Sequence, residues 1–389
     1  MKIKVLPEDF QVAERLDLPL SAAPGAYSIY RLKKRDWNTL DAISSAAREN
    51  GVPLTAVGYG GKKDRHAVTE QFLSVPSRYR LDYESRNVSV THEGYAADYL
   101  SPFHLVGNDF RLTVRDLSET EARSLQKGLE RVRRWGFANY FDDQRFGGVA
   151  DGAFLAERLI RGELSGALQL FFCTAHPEDP APLKALKAMR RQSWGQWEKL
   201  AALSRTREER EIARILGRDS SRQGLLRALN AVPREELSMA FSAYQSFLWN
   251  ATLFRLVQLY GKETFAVPGK IAQTLHFGSL EPEGANPLTE ALIPTEAGKL
   301  APVEEPLRRI MDEVLEGRKV RRAQFNMREF RRTFFKSFQR RAVAKPKNLS
   351  FRGFEPDELY PGRSRATLEF FLPKSSYATM LLKALAVVP

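Results

Sequence analysis

The chain has 389 residues, of which 43% are hydrophobic and 24 are phenylalanine, and its formal net charge is +13. This composition predicts a globular protein long enough for two domains, and it excludes a largely disordered one. The single cysteine, Cys173, excludes an intramolecular disulfide and a thiolate metal cluster within one chain. Because the sequence has no signal-like apolar region and no apolar run of roughly 18 residues, it predicts a cytoplasmic protein without a membrane partner.

In chain order, the N-terminal third predicts mainly short strands. Residues 3–5, 10–15 and 27–32 have strand character and alternate with turn-rich stretches. Residues 39–50 predict a helix that Gly51 would end. Further strands are predicted around Val57 and at residues 72–75. Residues 110–116, FRLTVRD, alternate like a half-buried strand.

The rest of the chain predicts a helical middle between strands. Ser118 and Glu121 form a capping box that begins a long amphipathic helix ending at Trp135. Residues 151–250 are mostly helical with a proline-rich break at HPEDPAPL, and GANPLTEALIP predicts loops. ATLEFFLP at residues 366–373 predicts a strand, and YATMLLKAL predicts a closing apolar helix. This order predicts one α+β domain that is interrupted by an insertion.

The positive charge is concentrated in residues 318–347, where twelve Lys or Arg residues accompany one Glu. The same segment contains five phenylalanines, Phe325, Phe330, Phe334, Phe335 and Phe338. One hypothesis is a solvated helix whose phenylalanines face the core. The other is a phosphate-binding surface, because clustered cations near a polyanion release condensed counterions. The concentration of charge favours the second hypothesis and a nucleic-acid partner, with Arg331 and Arg332 as candidate phosphate contacts.

The stretch GYGGKKDRHAVTEQFLSV, residues 58–75, places Asp64 on a glycine-rich, cationic loop between two predicted strands. It is not a P-loop, because Lys63 replaces the hydroxyl residue that would bind Mg²⁺ and Ala56 replaces the first glycine. The chain shows no metal-ligand spacing and no serine-hydrolase elbow. One hypothesis is an ordinary turn aspartate. The other is a catalytic aspartate on a loop that approaches substrate closely, with Lys62 and Lys63 holding the carboxylate ionised or contacting phosphates.

The stretch GGKKDRHAVTEQFLS resembles the signature of the TruD family of tRNA pseudouridine synthases, G-x-K-D-[KR]-x-A-x-T-x-Q. Further stretches resemble family motifs in the family's order, namely KVLPEDFQV at 4–12, GNDFRL at 107–112, ANYFDDQRFG at 138–147, FSAYQSFLWN at 241–250 and FFLPKSSYATMLLKAL at 370–385. These matches extend from residue 4 to residue 385. The resemblance therefore covers nearly the whole chain.

The resemblance implies the α+β fold of pseudouridine synthases, with a mixed sheet and helices. The catalytic domain would be built from residues 1–155 and 346–389. A TruD-type insertion domain would occupy residues 156–345 and clamp the RNA. The basic segment would then lie on the insertion domain or its hinge and face the cleft.

The resemblance implies that Asp64 is the catalytic aspartate of a cofactor-free, monomeric isomerase that acts on tRNA, with uridine 13 as the bacterial target. The reaction breaks the N1–C1′ bond, turns the uracil and rejoins it through C5. The carboxylate can attack covalently or deprotonate C2′, and the sequence leaves both routes open. Lys4 matches the family's N-terminal lysine and is the candidate partner of Asp64. The alternative for Lys4 is a solvated lysine on an edge strand.

A base inside folded RNA is reached only after it has been flipped out of the stack. The resemblance assigns Asn139 and Phe141 to the flipped uracil, the amide reading its edge and the ring stacking on it. Phe10 would close this pocket from the other side, and Tyr377 would line it. Without the resemblance, the stretch NYF is typical of a strand with a core phenylalanine.

Two positions depart from the family pattern, since Asp142 and Ser375 each replace a common glycine. Either residue can alter the shape of its loop, so the sequence does not determine the substrate preference. A synthase acting on mRNA or another RNA would share every motif and is an alternative. A second alternative is a non-catalytic RNA-binding or chaperone protein with this fold. Loss of Asp64 or Asn139 would indicate that second alternative, and both residues are present.

Overall fold

The computed structural model describes residues 1–281, 286–330 and 333–386, and it shows a mixed α+β protein. The strands are β1 (Phe10–Leu16), β2 (Tyr27–Arg35), β3 (Gly58–Tyr59), β4 (Val68–Pro76), β5 (Tyr83–Ser85), β6 (Val88–Ala96), β7 (Leu105–Leu117), β8 (Phe137–Ala138), β9 (Phe265–Val267), β10 (Thr274–His276), β11 (Leu292–Pro294), β12 (Gln339–Arg341), β13 (Val343–Ala344), β14 (Lys347–Pro356) and β15 (Ser364–Pro373). The helices are α1 (Thr39–Glu49), α2 (Glu119–Trp135), α3 (Leu155–Ile160), α4 (Leu164–Cys173), α5 (Ala181–Gln192), α6 (Trp197–Ala202), α7 (Arg207–Arg218), α8 (Arg222–Ala231), α9 (Arg234–Tyr260), α10 (Pro287–Glu290), α11 (Leu307–Gly317) and α12 (Ala378–Ala386).

The chain forms two compact units. Unit 1 combines Met1–Phe137 with the C-terminal part of the chain from Ala344 onward, and unit 2 consists of Ala138–Val343. The two ends of the chain therefore build one unit, and the middle builds the other. The sequence predicts boundaries between a catalytic domain and an insertion domain at residues 155/156 and 345/346. These boundaries stay a prediction.

Unit 1 contains a mixed nine-stranded sheet in the order β14-β15-β7-β1-β4-β2-β6-β5, with β3 paired to β4. The β1–β4 pair is parallel, whereas β1 with β7 and β7 with β15 are antiparallel. Because side chains alternate along a strand, paired residues lie on the same face of the sheet. One face carries Phe10, Val12 and Glu14 of β1, and α1 packs on the β2 and β4 part of this face.

Helices α2 and α12 approach each other closely in unit 1. Ser118 Oγ accepts a hydrogen bond from the Glu121 backbone N–H at 3.2 Å, which confirms the predicted capping box. A Cβ added to Gly128 of α2 would lie 2.4 Å from the carbonyl oxygen of Leu385 in α12. A glycine is therefore required at this crossing.

Unit 2 is mainly helical and packs around α9, a helix of 27 residues. The rings of Tyr244 and Trp249 on α9 are fully buried. The indole of Trp249 donates to the Ile293 carbonyl at 2.9 Å, and the phenol of Tyr244 donates to the Glu157 carboxylate at 3.2 Å. Both polar groups are satisfied, as burial requires.

Most predicted elements of unit 1 are confirmed, including β1, α1, β7 and β15, and β3 begins one residue after Val57. The strand predicted at residues 3–5 is wrong, because Lys4 has a φ of 55° and the chain there forms only an isolated bridge between Lys2 and Arg115. GANPLTEALIP contains α10 and β11 rather than loops alone. Its residues 284–285 lie outside the described residues.

The helix hypothesis for the basic segment is wrong for the part that the structure describes. Helix α11 ends at Gly317, and the described residues between 318 and 347 contain a short 3-10 helix and the strands β12 and β13. None of the described helices combines the length and the apolar character needed to cross a membrane.

Candidate active site

Asp64 lies on the loop that joins β3 to β4, two strands that pair antiparallel. The start of this loop is packed tightly. A Cβ added to Gly58 would lie 2.5 Å from Ser74 Oγ, and one added to Gly60 would lie 2.6 Å from a methyl group of Leu105. A side chain at either position would force Ser74 or Leu105 to move, so the two glycines permit the close packing of the loop before it reaches Asp64.

The structure places Lys4 beside Asp64 and the Phe10 ring beside Lys4. Lys4 Nζ lies 2.6 Å from Asp64 Oδ2, and the same ammonium lies 4.1 Å from the centroid of the Phe10 ring. The Asp64 side chain is 35% exposed and that of Lys4 is 20% exposed. The predicted ion pair is therefore present in a partly shielded setting that stays open to a ligand.

The backbone of the Asp64 loop is held by buried polar side chains. Lys34 Nζ donates to the Asp64 carbonyl at 2.6 Å, and the Lys63 N–H donates to Thr39 Oγ1 at 2.9 Å. Gln71 Nε2 donates to the Gly61 carbonyl at 3.0 Å. These bonds reach the loop from β2, α1 and β4, so three elements fix the backbone that carries Asp64.

Lys34 is an unusual member of this group because its side chain is almost fully buried. Burial lowers the pKa of the Lys34 ammonium to about 8, with Lys63 acting in the same direction and the charges of Asp64 and Asp36 opposing it. Sequence reasoning missed Lys34. The available signal was the alternation of the strand YSIYRLKKR, which places Lys34 on the same face as the buried residues Tyr30 and Leu32.

Lys63 points away from solvent, although the sequence made it a candidate for phosphate binding. Its ammonium lies 2.8 Å from Glu14 Oε1 and donates to Asn108 Oδ1 at 2.8 Å. The Glu14 side chain is fully buried, and its other oxygen accepts from the Phe72 N–H at 3.0 Å. This position favours a structural role for Lys63. Lys62 on the same loop is exposed, and phosphate binding by either lysine stays a prediction.

Buried ion pairs hold the N-terminal segment that carries Lys4. Arg115 Nε lies 2.9 Å from Asp9 Oδ1, and Arg115 Nη1 lies 3.0 Å from Asp357 Oδ1. Asp9 Oδ2 also accepts the Leu6 N–H at 2.8 Å. Asp9 of the PEDF stretch thus ties the segment after Lys4 to β7. Sequence reasoning did not find this role.

Phe10 and Tyr377 also belong to unit 1. Phe10 is 5% exposed and packs edge-on against Phe110, which stacks on Phe370 of β15. Tyr377 is half-buried and lies in the short turn between β15 and α12, and its carbonyl accepts the N–H of Met380 in α12. Register places the end of β15 beside Asn108, the residue that accepts from Lys63. The predicted lining role of Tyr377 stays a prediction.

Asn139 and Phe141 belong to unit 2, and both are buried. Asn139 Nδ2 donates to the Arg341 carbonyl at 3.0 Å, and Asn139 Oδ1 accepts from Arg340 Nη2 at 2.9 Å. The Phe141 ring packs edge-on against Trp249 at 5.3 Å, and the Arg340 guanidinium lies 4.0 Å from its centroid. These contacts resemble those of a core motif. Direct contact of either side chain with a base stays a prediction.

Several cations of the basic segment form ion pairs inside unit 2. Arg318 pairs with Glu157 at 2.6 Å, and Arg322 pairs with Glu296 at 3.0 Å. Arg340 is 3% exposed. The segment therefore contributes to the packing of unit 2 as well as to its charge. Arg331 and Arg332, the predicted phosphate contacts, lie outside the described residues.

Comparisons with known proteins identify the family to which the chain belongs. The model of the family described as tRNA pseudouridine synthase D (TruD) matches residues 1–385. The chain belongs to the TruD family. A probable tRNA pseudouridine synthase D 2 from Methanocaldococcus jannaschii is 30% identical over 388 residues, which cover 98% of this chain and 91% of that protein. The tRNA pseudouridine synthase D of Leptospira interrogans is 29% identical over 400 residues, covering 98% and 95%.

A solved structure shows the same fold. The crystal structure of a putative TruD protein from Methanosarcina mazei matches with a TM-score of 0.74 and 23% identity, covering 100% of this chain and 93% of that one. The α+β fold class, the TruD family and the enzyme class, RNA pseudouridine synthase, are therefore confirmed. The described residues contain no group of three or more His, Cys, Asp or Glu suited to a metal ion. Independence from a cofactor stays a prediction.

The two departures from the TruD pattern have different structural consequences. Ser375 has a φ of 68°, a conformation that favours glycine, so the serine at this position is strained. Asp142 has a φ of −80°, which any residue adopts. The Asp142 departure therefore leaves the backbone unstrained, whereas Ser375 marks a turn built for glycine just before Tyr377.

Proposed function

We propose that this chain converts a uridine of tRNA, uridine 13 by resemblance, to pseudouridine, and that Asp64 is the catalytic carboxylate. The observation that carries the proposal is the Asp64–Lys4 ion pair at 2.6 Å on a loop fixed from three sides. TruD membership supports the reaction class, and the ion pair supports this aspartate as the reacting group.

The geometry leaves one carboxylate oxygen of Asp64 available for chemistry. Lys4 bonds to Oδ2, and Oδ1 has no hydrogen-bond partner among the residues that the structure describes. Oδ1 can attack C1′ and displace uracil N1, or it can remove the proton from C2′ so that the N1–C1′ bond breaks by elimination. In both routes the electron pair of that bond leaves with uracil.

The second half of the reaction forms the new carbon–carbon bond. The uracil turns so that C5 faces the sugar, and C5 bonds to C1′. In the first route this displaces the Asp64 carboxylate from C1′, and in the second route Asp64 returns its proton to C2′. The hydrogen on C5 then leaves as a proton while N1 gains one. The product is an isomer of the substrate, so no oxidant, reductant or nucleotide enters the balance. Lys4, held over the Phe10 ring, would keep the carboxylate oriented during both steps.

Phe10, Tyr377, Asn139 and Phe141 are the proposed substrate-binding residues. A base that has been flipped out needs an aromatic face and an amide to read its edge. Phe10 already lies beside the Lys4 ammonium. Because Asn139 and Phe141 are buried, their contacts with Arg340 have to open or rearrange when RNA binds.

The test compares two carboxylates in similar settings. Asp64→Asn removes a charge paired with Lys4, and Asp109→Asn removes a charge paired with Arg15 on the same sheet; the two aspartate side chains are 35% and 39% exposed. Tritium release from C5-labelled uridine in tRNA is the measurement. We expect no release with Asp64→Asn and near wild-type release with Asp109→Asn, while both variants bind tRNA and melt like the wild type.

Release by the Asp64→Asn variant would overturn the assignment of the catalytic carboxylate. The target is tested separately, by mapping pseudouridine in tRNA, ribosomal RNA and mRNA from cells with and without the gene. Loss of pseudouridine at tRNA position 13 supports the proposed target. Loss confined to mRNA or another RNA would replace tRNA as the substrate and leave the role of Asp64 intact.

A further inference from the structure

Residues 333–338 of unit 2 alternate between the core and the surface. Thr333 and Phe335 are 6% and 5% exposed, whereas Phe334 and Phe338 are 70% and 45% exposed. Lys336, between the two exposed rings, is also exposed. Since the period is that of an extended chain, Phe334, Lys336 and Phe338 project from the same side. We call these three residues the exposed strip.

The backbone beneath the exposed strip is firmly attached to the core of unit 2. The Lys336 carbonyl accepts from Gln245 Nε2 at 3.2 Å, and the Phe338 N–H donates to Thr295 Oγ1 at 3.1 Å. The Phe335 ring stacks on Phe241 with centroids 4.3 Å apart and planes 13° apart. The two outward rings are therefore held in place without being buried themselves. Large apolar side chains displayed in this way mark an interaction site.

We infer that the exposed strip binds unpaired nucleotides of the RNA substrate, with Phe334 and Phe338 stacking on bases and Lys336 contacting a phosphate between them. Phe334 and Phe338 are four residues apart, so on an extended chain they are separated by roughly 13 Å. This separation suits two bases of an extended single strand that are not adjacent, and aromatic stacking on such bases is tolerant of sequence. The inference rests on the proposed function only in taking RNA as the substrate.

Charge decides between RNA and an apolar protein partner. The strip lies within residues 318–347, which carry twelve Lys or Arg residues and one Glu. Of these cations, Arg318 and Arg322 are paired with carboxylates and Arg340 is buried, so the remaining ones carry the argument. A surface that buries two rings against another protein is typically depleted of lysine at its centre. Here a lysine separates the two rings, and the surrounding sequence is strongly cationic. A polyanion with flat bases fits both features.

The experiment measures binding, so it does not depend on turnover. The full-length variants are Phe334→Ala, Phe338→Ala, the double variant and Lys336→Gln. Phe103→Ala is the control, because Phe103 is 82% exposed and lies on unit 1. The probes are a fluorescent oligouridylate of about twelve nucleotides, a duplex RNA of the same length and a tRNA transcript, each titrated at several salt concentrations.

We expect each ring removed to weaken oligouridylate binding by roughly 5- to 150-fold, with duplex binding unchanged, because only unpaired bases stack on the rings. The phenylalanine variants should keep the slope of log K against log salt, since they remove no cation. Lys336→Gln should reduce that slope by about 0.7, the value for one phosphate contact on a single strand. Phe103→Ala should bind both probes like the wild type.

Unchanged oligouridylate affinity in a double variant that melts like the wild type would overturn the inference. A concentration-dependent dimer of the wild type that the double variant loses in sedimentation would also overturn it, because the rings would then meet a second copy. If the double variant loses oligouridylate binding but the wild type forms no pseudouridine, the inference about the strip is supported and the proposed function is contradicted. If the wild type forms pseudouridine but the double variant binds oligouridylate normally, the proposed function is supported and the inference about the strip is contradicted.

Discussion

Lys34→Met separates the stability of unit 1 from the positioning of Asp64. Met fills a similar volume, but it cannot donate to the Asp64 carbonyl, the bond that Lys34 makes at 2.6 Å. We expect tritium release to fall while the fold is retained. The effect of Lys34 on stability has a distinctive dependence on pH, because burial lowers its pKa to about 8 from the ordinary value of 10.5.

The sign of this dependence follows from proton binding. Below pH 8 Lys34 is charged in both the folded and the unfolded state. Burial of this charge lowers the free energy of unfolding by about 3 kcal/mol. Between the two pKa values the unfolded state binds more protons than the folded state, so the free energy of unfolding of the wild type rises with pH. The methionine variant lacks this gain. It does leave the Asp64 carbonyl without its donor, which costs about 2 kcal/mol at every pH.

The two contributions give a measurable crossover. We expect Lys34→Met to be more stable than the wild type by about 1 kcal/mol at pH 7 and less stable by about 1 kcal/mol at pH 10. Urea unfolding of both proteins at each pH measures the difference. Lys33→Met is the matched control, because Lys33 lies on the same strand, is 53% exposed and pairs with Glu70. The relevant quantity is the free energy of unfolding of Lys34→Met minus that of the wild type, which should fall from positive at pH 7 to negative at pH 10. A value that stays constant or rises between these pH values would refute the reasoning.

Two further substitutions test particular conformations. Ser375→Gly should raise the free energy of unfolding by about 0.5–1 kcal/mol, because φ is 68° at this position. Ser376→Gly, the control, should lower it by a similar amount. If thermal melts show equal effects for the two variants, Ser375 is not strained. Phe141→Ala should cost about 3–5 kcal/mol, because the ring is 4% exposed. A Phe141→Ala protein that melts like the wild type but has lost turnover would instead support base stacking.

Local sequence determined most elements of unit 1. The capping box at Ser118 and Glu121, the glycine after α1 and the alternation along β7 act over a few residues, so periodicity and end signals were sufficient to find them. The prediction failed at residues 3–5. There the left-handed conformation of Lys4 breaks the strand, and its partner Asp64 lies 60 residues away in the sequence.

The family motifs identified the reaction class and selected Asp64 and Lys4, and the structure brought the two side chains together. Sequence alone did not separate exposed from buried residues in the phenylalanine-rich basic segment. Phe334 projects outward and Phe335 stacks in the core, although the two are adjacent in the same composition.

The roles of Lys34, Arg115 and Glu14 were decided by tertiary structure alone. Each is a charged residue inside a strand, and the sequence around it does not state which distant group it meets. Lys34 reaches the Asp64 carbonyl 30 residues away, and Arg115 reaches Asp357 across 242 residues. Burial makes an unpaired charge costly, so the fold selects a partner for each one. That choice depends on which strands become neighbours, and strand order is a property of the complete sheet.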